Sequence, residues 1–82
     1  MFYVYVLKST KSEFHYTGMT NCIDRRLNQH NAGQCQATKH YAPFELVYTE
    51  KCLDRESARK LEKKFKSGSG REFIQKLEKS KM

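Results

Sequence analysis

The sequence predicts a single α+β domain over residues 1–82, in which about three helices flank a three-stranded, mostly antiparallel sheet in the order ββαβαα. Three observations predict it. An apolar run opens the chain, and a second β-rich run follows within hairpin distance. Two stretches with helix-spaced apolar residues enclose a third β-rich run, and a further helical stretch closes the chain. Finally, 82 residues at 38% hydrophobic content supply one small core and leave no length for a second domain.

Each element follows from its residues. Phe2–Leu7, FYVYVL, lacks polar alternation and reads as a strand buried on both faces, hence central in the sheet. Lys8–Glu13 is a polar connection, Phe14–Thr17 the second strand, and Gly18 its end. Thr20-Asn21 offers an N-cap to a helix over Ile23–His30, in which Ile23 and Leu27 stand four apart. Asn31-Ala32-Gly33 stops that helix, since Asn and Gly tolerate the left-handed conformation. The polar loop 34–43 closes on Pro43, and Phe44–Thr49 is the third strand. Asp54 caps a second helix whose apolar stripe is Ala58, Leu61 and Phe65, and Ser67-Gly68-Ser69-Gly70 breaks it. A last helix starts at Arg71 and buries Phe73, Ile74 and Leu77.

Composition narrows the function classes. No apolar run approaches the roughly 18–20 residues that cross a bilayer, so no membrane partner is expected. The apolar N-terminus has no basic region or small-residue cleavage site of a secretory signal. Cys22, Cys35 and Cys52 are an odd number without a CxxC pair, which fits a reducing cytoplasm. Their spacings of 13 and 17 residues do not suit a structural zinc site. The net charge of +7 points to polyanions, most simply nucleic acid. That charge is uneven: residues 1–50 balance at +1 and residues 51–82 at +6. The basic half reads either as a solvated helical surface or as a phosphate-binding face made by Lys60, Lys63, Lys64 and Lys66.

Four kinds of residue could carry chemistry. Arg26 and His30 lie four apart beside the Ile23/Leu27 stripe, where Arg offers a planar fork for phosphate and His a proton carrier near neutral pH. Arg25 is a candidate nucleic-acid contact alongside the lysines of the basic half. Glu62 falls about 40° from Ala58 around its helix, so it either edges the core or points into a cleft as a ligand for a hard metal ion. Tyr3, Tyr5 and Tyr16 crowd the first hairpin, where they pack well and could bring two hydroxyls together across it.

These residues resemble a family pattern. Tyr3-Val4-Tyr5 stands where the GIY-YIG nucleases carry Gly-Ile-Tyr, and Tyr16-Thr17-Gly18 where they carry Tyr-Ile-Gly. Asn21–Gly33 is similar to their arginine helix and its His-Asn-x-Gly ending, Pro43–Tyr48 to their third strand, and Ala58–Glu62 to the helix with the metal-binding glutamate. Small stand-alone bacterial members are the nearest match, over about residues 2–77. Met19 stands where some members, including excision-repair nucleases, carry a lysine.

The resemblance implies a metal-dependent endonuclease that hydrolyses DNA phosphodiesters. Tyr5 or Tyr16 would be the base or position the attacking water, and Arg26 would neutralise the scissile phosphate. Glu62 would hold one Mg²⁺ or Mn²⁺, and His30 would relay a proton or touch phosphate. A tyrosine base needs nearby positive charge to lower its ordinary pKa near 10. The resemblance favours DNA over RNA and suggests a partner protein for target choice. The alternative is a nucleic-acid-binding module that keeps the fold without turnover.

Overall fold

In the computed structural model, which describes residues 1–36, 38–67, 70 and 72–76, the sheet order is β2-β1-β3 and both pairings are antiparallel. β1 is Phe2–Ser9, β2 His15–Thr20 and β3 Phe44–Cys52. α1, Ile23–Asn31, follows the hairpin, and α2, Arg55–Lys66, follows β3. A third helix contains residues 70 and 72–76, which completes the expected ββαβαα order.

β1 is central, as its unbroken apolar run implies, and Val4, Tyr5, Val6 and Leu7 are each at most 2% exposed. Alternation then divides the core, because successive strand residues face opposite sides of the sheet. Val4 packs with Cys52 and with Ala58 and Phe65 of α2. Tyr5 and Leu7 pack with Phe44 and with Ile23 and Leu27 of α1. The sheet therefore lies between the two helices.

All three strands extend past their expected ends. Lys8 and Ser9 of β1 pair with His15 of β2 and with Glu45 and Phe44 of β3, because polar residues at a ladder's end lose nothing by pairing. Gly18 does not end β2 but sits inside it, opposite Tyr5. Thr20 is not the helix cap either. Its Oγ1 accepts the Cys22 N–H at 3.1 Å and donates to the Cys22 carbonyl at 3.2 Å, forming a local turn, and Cys22 is the N-cap without a side-chain bond.

The stop after α1 is as expected, with Gly33 at φ +76°, where other residues are strained. Asn31 does more than end the helix. Its Oδ1 accepts the Phe44 N–H at 2.6 Å and its Nδ2 donates to the Phe44 carbonyl at 3.3 Å, which ties α1 to the start of β3. Within the loop 34–43, residues Lys39–Tyr41 form a short 3-10 turn that the polar composition did not signal.

Asp54 caps α2 through its Oδ1, which accepts the Ser57 N–H at 2.8 Å. Ala58 and Phe65 are buried and Leu61 half-buried, so the predicted stripe stands. Gly70 belongs to the third helix and not to the break, and a Cβ there would overlap the Phe65 backbone. Ile74 is buried as expected, but Phe73 remains 38% exposed. One face of its ring stacks on Phe65, with centroids 5.5 Å apart, while Tyr48 meets it edge-on at 5.3 Å. Arg71 and Leu77, the other residues expected in this helix, lie outside the described residues. Among the described residues no helix is long and apolar enough to cross a membrane.

Candidate active site

The site begins at the pairing of Tyr5 with Gly18. A Cβ at position 18 would lie 2.6 Å from the Tyr5 hydroxyl and 2.9 Å from Tyr16 Cε2, so only glycine lets the Tyr5 ring cross the neighbouring strand. The hydroxyl then reaches α1, where Arg26 and His30 are one turn apart. It stands 3.1 Å from His30 Nε2, and Arg26 Nε donates to it at 3.4 Å.

His30 is fully buried, not exposed as helical Arg and His pairs usually are. Its Nδ1 lies 2.8 Å from Oγ1 of Thr38, itself fully buried, and the Thr38 hydroxyl donates to the Cys35 carbonyl at 3.4 Å. With the Thr38 proton assigned to the Cys35 carbonyl, Nδ1–H donates to Thr38 and Nε2 accepts the Tyr5 O–H. The Tyr16 ring packs 4.9 Å from the imidazole and 6.2 Å from the Tyr5 ring. Among the described residues the Tyr16 hydroxyl has no hydrogen-bond partner, so the two motif tyrosines meet by their rings and not their hydroxyls.

Burial decides the protonation states. It pushes the Tyr5 phenol from 10.0 up to about 12, outweighing the hydrogen bond and charge of Arg26, which pull the other way. The lowered phenol pKa that a tyrosine base was expected to need is therefore absent from this resting arrangement. Burial, followed by the Arg26 charge, lowers the His30 pKa below its ordinary 6.5, which keeps the imidazole a neutral acceptor.

Arg26 also belongs to a second structure. At the β2 edge of the sheet, a cleft of about 650 Å³ opens between α1 and α2 over Phe2, Met19 and Thr20. Arg25, Arg26 and Gln29 line one side, and Arg55, Arg59 and Glu62 the other. Gln29 Oε1 accepts from Arg26 Nη1 at 3.2 Å and steadies the guanidinium at the junction. Glu62 lines the cleft, with its side chain 21% exposed and Lys66 Nζ 3.6 Å from its carboxylate.

The expected site residues thus fall into linked groups. Tyr5, Tyr16, His30 and Arg26 form a cluster above the sheet, and Arg26, Arg25 and Glu62 share the cleft. The lysines do not form one face, because a helix turns about 100° per residue. Lys66 pairs with Glu62, whereas Lys60 pairs with Glu56 at 3.9 Å and joins Lys64 along a groove beside Glu50, Lys51 and Cys52. Lys63 is exposed and lines neither. Four residues went unforeseen. Thr38 and Gln29 carried no local signal, but Arg55 and Arg59, at seven and three positions before Glu62, were readable as its helical neighbours.

A metal has one carboxylate to meet it here. Among the described residues no group of three or more His, Cys, Asp or Glu side chains could hold a metal ion. A single cleft-facing carboxylate still fits Mg²⁺, which keeps most of its waters and takes its remaining ligands from substrate phosphate.

Comparison with known proteins agrees with this geometry. The profile of the GIY-YIG catalytic domain matches residues 1–78. A UPF0213 protein of Natronomonas pharaonis is 41% identical over 66 residues, which are 79% of this chain and 76% of that one. A UPF0213 protein of Oceanobacillus iheyensis is 34% identical over 65 residues, 78% of this chain and 74% of its own. The solution NMR structure of the UPF0213 protein BH0048 from Bacillus halodurans superposes with a TM-score of 0.55 at 33% identity, covering 94% of this chain and 85% of that one. A profile match across nearly the whole chain, with both tyrosine motifs paired on adjacent strands, means that the chain belongs to the GIY-YIG family, with small UPF0213 proteins among its relatives.

Proposed function

We propose that the chain is a metal-dependent endonuclease that hydrolyses phosphodiester bonds in DNA. Membership of a nuclease domain family supports the reaction class. One observation carries the finer reading: Arg26 belongs at once to the Tyr5–His30 cluster and to the cleft holding Glu62. A shared arginine links the tyrosine cluster to a phosphate bound in the cleft on the carboxylate side.

In this reading Tyr5, not Tyr16, is the base, since its hydroxyl has the acceptor and the cation. Tyr5 hands its phenolic proton to His30 Nε2 as it draws one from the attacking water. Because the phenol stands at about 12 it keeps its proton at neutral pH, so Tyr5 acts as a relay and His30 Nε2 is the final acceptor of the water's proton. Tyr5 thus ends the step as a neutral phenol beside an imidazolium, and Arg26 meets the charge developing on the phosphate oxygens. Tyr16 packs against the imidazole, and Glu62 is the residue that would hold Mg²⁺ or Mn²⁺. When bound, the cation stabilises charge on the phosphate and the leaving oxygen. Arg25 with Lys60, Lys63, Lys64 and Lys66 supplies attraction to the nucleic-acid backbone. The reading places the chain in the cytoplasm and leaves target choice to a partner protein.

The test is nicking of supercoiled plasmid with Mg²⁺ or Mn²⁺ by the wild type and by Glu62→Ala. The wild type is expected to nick, and Glu62→Ala to lose about 10²-fold or more in rate while still binding duplex. Nicking that survives unchanged in Glu62→Ala would overturn the metal assignment. Binding by the wild type with no cleavage on plasmid, branched or single-stranded DNA would instead identify a non-catalytic module.

A further inference from the structure

We propose that Arg55 and Arg59 form a phosphate track along α2 that grips the nucleic-acid backbone beside the scissile bond. The track deepens the nuclease reading of the same cleft and rests on it for the identity of the occupant. Both arginines line the cleft with Glu62. At about 100° per residue, the three fall within about 60° of one another around the helix. Glu62 stands between the arginines and the buried Ala58/Phe65 stripe, so the guanidinium groups occupy the outer lip. From Arg55 to Glu62 the stripe runs about 10 Å along the helix axis, the rise of about three nucleotides of one strand. That length takes the phosphate at Glu62 and one or two beyond it.

The charges argue in the same direction. Four guanidinium groups, from Arg25, Arg26, Arg55 and Arg59, line the cleft with a single carboxylate. Most nearby polar groups are already engaged. Arg26 is held by Tyr5 and Gln29, Arg25 donates to Asn21 Oδ1 at 3.0 Å, and Glu62 is taken by Lys66. Among the described residues Arg55 and Arg59 have neither a hydrogen bond nor an ion pair. Two exposed, unneutralised forks on one wall match the oxygens of successive phosphates, which guanidinium groups bind bidentately. Lys60 and Lys64 lie on the far side of α2, about 160° from Glu62, and line a different groove.

A matched pair of double variants tests the track, each removing two charges from α2. Full-length wild type, Arg55→Gln/Arg59→Gln and Lys60→Gln/Lys64→Gln are titrated against a fluorescein-labelled DNA duplex of about 20 base pairs in EDTA, over a KCl series. The arginine variant is expected to bind about tenfold more weakly and to lose about two from the slope of log affinity against log salt. The lysine variant is expected to change the slope by less than half as much. An equal or larger loss in the lysine variant, no loss in the arginine variant, or no binding by the wild type would overturn the track. Plasmid nicking by the wild type separates this from the catalytic reading. Nicking alongside equal losses overturns the track alone, and arginine-dependent binding without nicking overturns the nuclease reading alone.

Discussion

Gly18 and Thr38 show how much of the site depends on residues without chemistry of their own. In Gly18→Ala the new methyl group would enter the space of the Tyr5 hydroxyl, and the nearest atoms belong to two packed rings. Overpacking of this kind costs about 1–3 kcal/mol, measurable as a lower urea midpoint. The shift also moves Tyr5 off His30 and Arg26, so nicking should fall further than the stability loss explains. Thr38→Val would leave the His30 Nδ1–H buried without an acceptor, at about 1–3 kcal/mol. It would also release the tautomer that makes Nε2 an acceptor, and Thr38→Ser should restore both stability and nicking. A Ser variant that behaves like Val would show that the hydroxyl is not the operative group. Strand and helix periods left Tyr5, Arg26 and Glu62 as candidates, and the resemblance to the GIY-YIG pattern singled them out. Thr38 was not legible, since it reaches His30 from a loop eight residues on, where no period operates.

At the scale of elements, apolar pattern reported burial faithfully and pairing poorly. The run Phe2–Leu7 marked the central strand, yet β1 continues through Lys8 and Ser9 because the ladder needs only backbone groups. The same distinction explains Gly18, whose composition reads as a stop although its place in the ladder is what admits Tyr5. Caps were legible where side chain and backbone sit close in sequence, as at Asp54, and not where a polar residue serves a distant strand, as Asn31 does. These two contacts predict different consequences. Asp54→Ala removes an exposed N-cap and should lower the urea midpoint modestly with little change in nicking. Asn31→Ala frees the Phe44 N–H and loosens α1 from β3, at about 1–3 kcal/mol. Because α1 carries Arg26 and His30, its nicking should fall as well, and equal effects on activity from both variants would contradict this division.

For the whole molecule, the buried titratable groups set a pH window of stability. His30 is held neutral, with its folded pKa below 6.5, so the unfolded chain takes up a proton first as pH falls. Stability from His30 is therefore complete above about pH 6.5 and is lost as pH falls through that value toward the folded pKa. The Asp54 carboxyl, lowered by the Ser57 backbone bond, adds a second loss only below its ordinary 3.8. The alkaline side has the opposite sign. Tyr5, raised by burial, and Tyr48, raised by its bond to Glu50, both reach about 12, so each holds its proton in the fold after the unfolded phenol at 10.0 has lost it. Burial likewise raises the Cys52 thiol above 9.0. Their contributions are present below about pH 9 and decline from there toward pH 12. Urea midpoints should thus form a plateau between about pH 7 and pH 9, with both limbs descending. His30→Gln should flatten the limb between pH 7 and 5, and Tyr5→Phe part of the limb above pH 10. A wild-type midpoint that stays level or rises from pH 7 to 5 would mean that His30 is not buried neutral, and Nε2 would then donate to the Tyr5 oxygen instead of accepting from it.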